Sequence, residues 1–260
     1  MEIISNRLEV VRDVENLVPV AANLQKIKKI NAILPSFIEK DQKVIDENLQ
    51  LYVALLEAYQ VDEDWENTTV IASKMYAESE KINIPRFTIQ AQYNYACALL
   101  NENKIFEAKK ILDEMEDLDC TEFHYLYYSG LAKLYGIKQN TSEEIKNFQI
   151  ALNLALKSGC MKRIEFEILC GLALAFEKSR EYNRAFMIYE KMQEPEFEIH
   201  KFLSYERIAS IFYREARIHC YLNHHKERAD LLTSLHNNIE CTLPENHPLR
   251  ILVAEDFKKL

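Results

Sequence analysis

Between Ile89 and Met192 one pattern is written three times, and it constrains the chain more than any other feature. Ala96, Leu99, Ala108 and Leu112 give a small residue, an apolar one, a turn, then small and apolar again. Gly130, Lys133, Glu144, Phe148 and Ala151 repeat it with two charged departures. Ala173, Phe176, Tyr182, Ala185, Tyr189 and Met192 repeat it most cleanly. Two antiparallel helices approach closely where small residues meet, and aromatic rings fill the holes between them. The pattern predicts stacked helical hairpins. Only 4 glycines and 6 prolines punctuate 260 residues, too few turn formers for a sheet-rich chain. At 48% hydrophobic residues the chain can bury a core rather than stay disordered.

Taken in order, residues 1–40 hold two amphipathic helices, Glu2 to Asn16 and Ala21 to Leu34, separated by Pro19 and closed before Pro35. A DNA-reading helix-turn-helix needs a polar, basic recognition helix. The one basic cluster here, Lys26, Lys28 and Lys29, lies on an amphipathic helix, so 1–40 reads as a capping pair. The repeat region runs over 41–240. Its first hairpin pairs Val44–Gln60 with Glu66–Lys81 around Trp65 and closes at Pro85. The second spans Phe87–Leu118, turning at Asn101–Asn103. The third spans Glu122–Lys157, with a long turn over Gly136–Thr141, Thr141 or Ser142 as N-cap and Gly159 as the stop. The fourth runs from Arg163 to Gln193 and stops at Pro195. A looser fifth pairs Phe202–Tyr221 with Lys226–Ile239 around Asn223–His225. Residues 241–260 supply a loop and a last amphipathic helix, Leu249–Leu260, to cover the final apolar face.

The punctuation is periodic. Gly159 and Pro195 stand 36 residues apart, and Pro85 to Gly159 is 74, twice 37. With the small and aromatic positions quoted above, this resembles the tetratricopeptide repeat (TPR), whose period is about 34 residues. The resemblance implies an all-α fold, a right-handed superhelix (α-solenoid) of about five TPR-like helical hairpins with capping helices. It also implies that the first helix of each hairpin lines a concave groove. Carried onto this sequence, the groove positions are Gln50, Val53, Glu57 and Gln60, then Gln90, Tyr93, Cys97 and Asn101, then His124, Tyr127, Leu131 and Tyr135. Glu167, Cys170, Leu174 and Glu177 follow, with Tyr213 and Arg217 from the fifth hairpin. Amides pair with a peptide backbone and tyrosine rings cover its side chains.

The net charge of −9, without a lysine–arginine block, argues against nucleic acid and against a membrane surface. The opening residues lack a basic, apolar leader and no apolar run is long enough to span a bilayer, so a cytoplasmic protein is expected. Six scattered cysteines without C-x-x-C predict small thiols packed in helices, neither disulfides nor zinc ligands. His219, His224 and His225 lack the i, i+4 spacing of a metal pair with a nearby carboxylate and read as surface histidines. No nucleophile elbow, metalloprotease helix or phosphate-cradling loop occurs, so neither enzyme activity nor a cofactor is expected.

The groove also lacks the basic clamp of co-chaperone TPR domains. In texture the repeats resemble the peptide-pheromone receptors of Gram-positive bacteria and their phages, the Rap/Rgg/NprR/PlcR/PrgX group, without that group's helix-turn-helix. The resemblance implies a regulator that binds a short peptide or a segment of another protein in the groove, as in quorum sensing. The competing reading is a scaffold, adaptor or secretion-type chaperone holding a partner protein. A homodimer through the C-terminal units is compatible with either.

Overall fold

The computed structural model describes residues 52, 53, 55, 56, 59, 64–82, 84–118, 120–197 and 205–260. The capping pair expected over 1–40, and Gln50, Glu57 and Gln60, lie outside them. Ten helices have described ends: α1 (Trp65–Ile82), α2 (Pro85–Asn101), α3 (Ile105–Glu116), α4 (His124–Ile137), α5 (Thr141–Ser158), α6 (Lys162–Lys178), α7 (Tyr182–Met192), α8 (Tyr205–Tyr221), α9 (His225–Thr242) and α10 (Pro248–Phe257). Single 3₁₀ turns occupy Thr121–Phe123 and Pro195–Phe197. The chain divides into two compact units, Met1–Cys160 and Met161–Leu260.

In the first unit, helical residues Tyr52, Leu55, Leu56 and Tyr59 pack with Ile71, Ala72 and Met75 of α1 and Phe87, Ala91 and Ala98 of α2. Pro85 opens α2 at the one place where a missing backbone N–H is harmless. Helices α2 and α3 then α4 and α5 form antiparallel pairs, and α4 also packs on α2 and α3. In the second unit α6 pairs with α7, α8 with α9, and α10 packs on α9. Leu249 and Val253 of α10 join Ala209, Tyr213, Ala216, Leu232, Leu235 and Ile239 in one core, so the last helix covers the final hairpin as expected.

The turns inside the hairpins are the clearest repeat. Each is three residues long: 102–104, 138–140, 179–181 and 222–224. The middle residue has positive φ every time, at Asn103 (60°), Gln139 (58°), Arg180 (62°) and Asn223 (59°). The third residue's N–H returns to a carbonyl five positions back in all four: Lys104 to Leu99 (2.8 Å), Asn140 to Tyr135 (3.0 Å), Glu181 to Phe176 (2.9 Å) and His224 to His219 (2.9 Å). This bond pattern satisfies the carbonyls a helix end leaves unpaired, and it requires one left-handed residue. The third turn is therefore no longer than the others. Its N-cap is Asn140, whose side chain accepts from the Glu143 N–H, rather than Thr141 or Ser142.

Glutamine and arginine carry a left-handed penalty of about 1 kcal/mol that glycine avoids. Gln139→Gly and Arg180→Gly are each expected to raise unfolding free energy by up to about 1 kcal/mol, less at Asn103, where asparagine tolerates this region. Chemical denaturation of the three variants checks the order.

Two expectations about polar residues change. His219 is buried, at 7% exposure, because it stands at the position that Leu99 and Phe176 occupy in other hairpins and packs edge-on against Phe186. The six thiols are free, and Cys220 and Cys241 are exposed rather than packed. Among the described residues, no helix is long and apolar enough to cross a membrane, and no three side chains converge as metal ligands.

Candidate partner-binding faces

The four matching turns fix which residues are equivalent. Counting back from the anchored N–H, the small residues facing the return helices are Ala96, Ala132, Ala173 and Ala216. The outward set is Gln90, Tyr93, Cys97 and Asn101 on α2, and Glu167, Cys170, Leu174 and Lys178 on α6. On α8 it is Ser210, Tyr213, Arg217 and Tyr221. On α4 the same positions hold Leu126 and Ser129, both buried against neighbouring helices, half-buried Lys133 and exposed Ile137. They lie two residues beyond His124, Tyr127, Leu131 and Tyr135, so the third hairpin's register moves.

Side-chain contacts agree with that shift. Lys133 donates to the Tyr93 hydroxyl at 3.0 Å and to the Cys97 sulfur at 3.4 Å, with its ammonium 5.1 Å from the centre of the Tyr93 ring. Ser129 lies 3.4 Å from the same hydroxyl. Burial raises the Tyr93 phenol and the Cys97 thiol adds to it, against the opposing charge of Lys133. His124 and Tyr127 turn instead toward the end of α3. The His124 ring meets the Leu118 carbonyl at 3.4 Å, and burial with a Glu116 hydrogen bond raises the Tyr127 phenol. Tyr135 is half-buried near Lys109 on α3, whose ammonium pKa is raised by its Asp113 hydrogen bond with a smaller contribution from Tyr135. Gln90 is half-buried and Asn101 exposed.

Glu144 explains the blurred third copy. It takes the place that Ala108 and Ala185 hold elsewhere, twelve residues after the small position. A Cβ on Gly136 would lie 2.6 Å from the Glu144 carboxylate, so the two helices meet through a glycine facing a glutamate.

On the second unit the face is charged. Arg207 donates to Glu167 at 2.7 Å, and Arg214 reaches Glu177 at 3.5 Å while the Tyr189 hydroxyl also donates to Glu177. Cys170 lies between these pairs. Burial pushes its thiol up and Glu167 adds, while Arg207 and Arg214 oppose. Tyr213 donates to Asp256 of α10 at 2.9 Å, and burial then that bond push its phenol up to about 12. Burial works against the Asp256 charge, but Lys259, Tyr213 and Arg228 outweigh it and hold the carboxyl below its usual range. Of the expected residues, Glu167 and Glu177 are thus held by arginines, Tyr213 is buried and Arg217 exposed. The arginines and Lys133 are the participants that the sequence reading missed. Twelve-residue spacing, Ala96 to Ala108 and Ala173 to Ala185, is the signal that pairs Glu144 with Ala132 and would have found Lys133.

Beside this face His219 Nδ1 stands 3.2 Å from His224 Nδ1, with Glu215 4.0 Å from His219 Nε2 and held by Gln193 at 2.7 Å. Burial, then the His224 charge, lowers the His219 pKa against Glu227 and Glu190. Neutral in the fold, His219 binds fewer protons than the unfolded chain, so its contribution is complete above about pH 6.5 and is lost as pH falls. Glu215 runs the other way. Burial raises its carboxyl, so its contribution is largest in acid and declines as pH rises through the raised value. His224→Gln removes a charge that depresses His219 and is expected to flatten the loss of stability between about pH 7 and pH 5.5. Denaturant titrations across that range test it, and an unchanged slope excludes the pair as its source.

No family model matches the chain and no curated protein matches it in sequence. Solved structures do match in fold. BtubC (BKLC) from P. vanneervenii superposes with a TM-score of 0.56 at 18% identity, covering 75% of this chain and 86% of that one. PilF of Pseudomonas aeruginosa gives 0.53 at 13% identity over 96% and 99%. A Podospora anserina putative kinesin light chain with nearly identical TPR-like repeats gives 0.50 at 16% identity over 75% and 97%. These neighbours are TPR-like repeat proteins, and with its hairpins, three-residue turns and covering end helix this chain has their fold, an all-α TPR-type α-solenoid.

Proposed function

We propose that this protein is a non-enzymatic recognition module that binds a short peptide, or an extended segment of another protein, on the outward positions of α2 and α4 in the first unit or of α6 and α8 in the second. The observation that carries the reading is the anchored register. In the four described turns it fixes which residues lie away from the return helix, among them Gln90, Tyr93 and Asn101 on α2, Lys133 on α4, Glu167 and Lys178 on α6, and Tyr213, Arg217 and Tyr221 on α8. Tyrosine and amide groups suit an extended backbone, and the TPR-like fold supports a protein–protein role. On this reading the candidate set becomes Gln90, Tyr93, Asn101 and Lys133 in the first unit and, in the second, Glu167 and Arg217 at outward positions with Glu177, Arg207 and Arg214 in the ion pairs beside them. A cytoplasmic regulator of the peptide-signalling kind is the finer form of the proposal, and a scaffold or secretion-type chaperone is the alternative.

Ligand-dependent stabilisation separates the two. A receptor for a peptide of under about ten residues gains stability in proportion to the logarithm of ligand concentration. Material retained on the protein from its host, short peptides included, is identified by mass spectrometry and titrated back. A retained short peptide that raises the melting temperature supports the receptor. A folded partner with no peptide response supports the scaffold.

A further inference from the structure

The second unit has a cationic hollow that shares only Arg217 with the candidate set. Arg217 of α8, Arg228 of α9 and Lys259 after α10 line one cavity of about 270 Å³ with Tyr221, Leu232 and Asp256. Its one carboxylate is already engaged, because Lys259 and Tyr213 both donate to Asp256 at 2.9 Å. Neither Arg217 nor Arg228 has a described carboxylate within 4 Å, whereas Arg184, Arg207 and Arg214 each do. Arg217 donates to the Tyr221 hydroxyl at 3.5 Å. In a chain of net charge −9, such arginines beside an apolar wall form a local positive site. Guanidinium forks match carboxylate geometry in two parallel bonds.

We infer that this hollow receives an acidic side chain of the bound segment, so that the partner of this protein is an acidic peptide. The inference rests on the reading of the outward faces as a peptide site. Arg217 belongs to both, which places the hollow at one end of the α8 face. Leu232 and Tyr221 supply contact for the methylene groups of a glutamate while the arginines take its carboxylate.

The test uses the full chain and fluorescein-labelled hexaglutamate, amidated at the C-terminus so that only side-chain carboxylates are offered, with hexaglutamine as control. Binding of hexaglutamate, at least ten-fold weaker in Arg217→Gln/Arg228→Gln and in the separate Lys259→Gln variant, is the expected result, together with a strong fall as salt rises. Binding that the variants leave unchanged, equal affinity for hexaglutamine, or equally effective displacement by inorganic phosphate would overturn it. The last outcome would make the hollow a general oxyanion site. If the partner retained from the host survives Arg217→Gln/Arg228→Gln but is lost by Ser210→Trp on the same α8 face, the acidic assignment fails while the recognition role stands. If Ser210→Trp also retains the partner, the proposed face of the second unit is itself wrong.

Discussion

Phe166→Ala is expected to lower unfolding free energy by about 3–5 kcal/mol, the usual range for truncating a fully buried phenylalanine. Phe166 is completely buried in α6 and meets Phe197 edge-to-face, with ring centres 5.9 Å apart. The aromatic geometry itself accounts for about 0.5–1.5 kcal/mol, and the remainder is lost burial plus the cavity left behind. Against a typical total of about 5–15 kcal/mol, that is a large share. In a repeat fold each element touches only its neighbours, so the damage stays local. Amide exchange is expected to accelerate in α6 and α7 while α3, α4 and α5 keep their protection. Uniform acceleration throughout the chain would contradict a repeat architecture. Phe166→Leu, which keeps most of the volume, recovers most of the stability.

Ala132→Leu is expected to cost about 1–3 kcal/mol or more, because it forces a larger side chain into a fully buried helix contact. Gly130→Ala is expected to be nearly neutral. Its new methyl would come within 2.5 Å of the Leu112 side-chain tip, which must move. The gain in helix propensity, about 1 kcal/mol, offsets that shift. The order of the two variants decides the register of the third hairpin. If Gly130→Ala proved the more damaging, Gly130 would be the point of close approach and the outward set on α4 would return to His124, Tyr127 and Tyr135.

The hairpins were legible because their determinants are local. Ala96 with Ala108, Ala173 with Ala185, and Gly159 as a left-handed helix stop at φ 64° all sit where periodicity places them. The third hairpin misled because glycine is the smallest residue, and Gly130 drew the alignment from Ala132 by two positions. Spacing would have corrected it, since Ala132 to Glu144 is twelve residues like the other pairs. The turns were legible only in part. Nothing in Gln139 or Arg180 advertises a left-handed backbone, which the closing hydrogen bonds impose from outside the residue. The charged half of the candidate face was not legible at all. Arg207 and Arg214 find Glu167 and Glu177 across 40 and 37 residues of chain, and no short-range pattern encodes such pairs. His219 was misread for the same reason, since its burial comes from α7 rather than from its own helix.

The central claim is that the outward positions of the first helices bind the partner. The most direct measurement is retention of the host's partner by four proteins side by side: wild type, Gln90→Arg, Asn101→Arg, and Glu107→Arg on the return helix α3. Asn101 and Glu107 are both exposed, and Gln90 is half-buried at the surface, so all four should keep the same helical signal. The account predicts that Gln90→Arg and Asn101→Arg lose the partner by ten-fold or more while Glu107→Arg retains it. Loss confined to Glu107→Arg, with the other two unaffected, would place recognition on the return helices and contradict it.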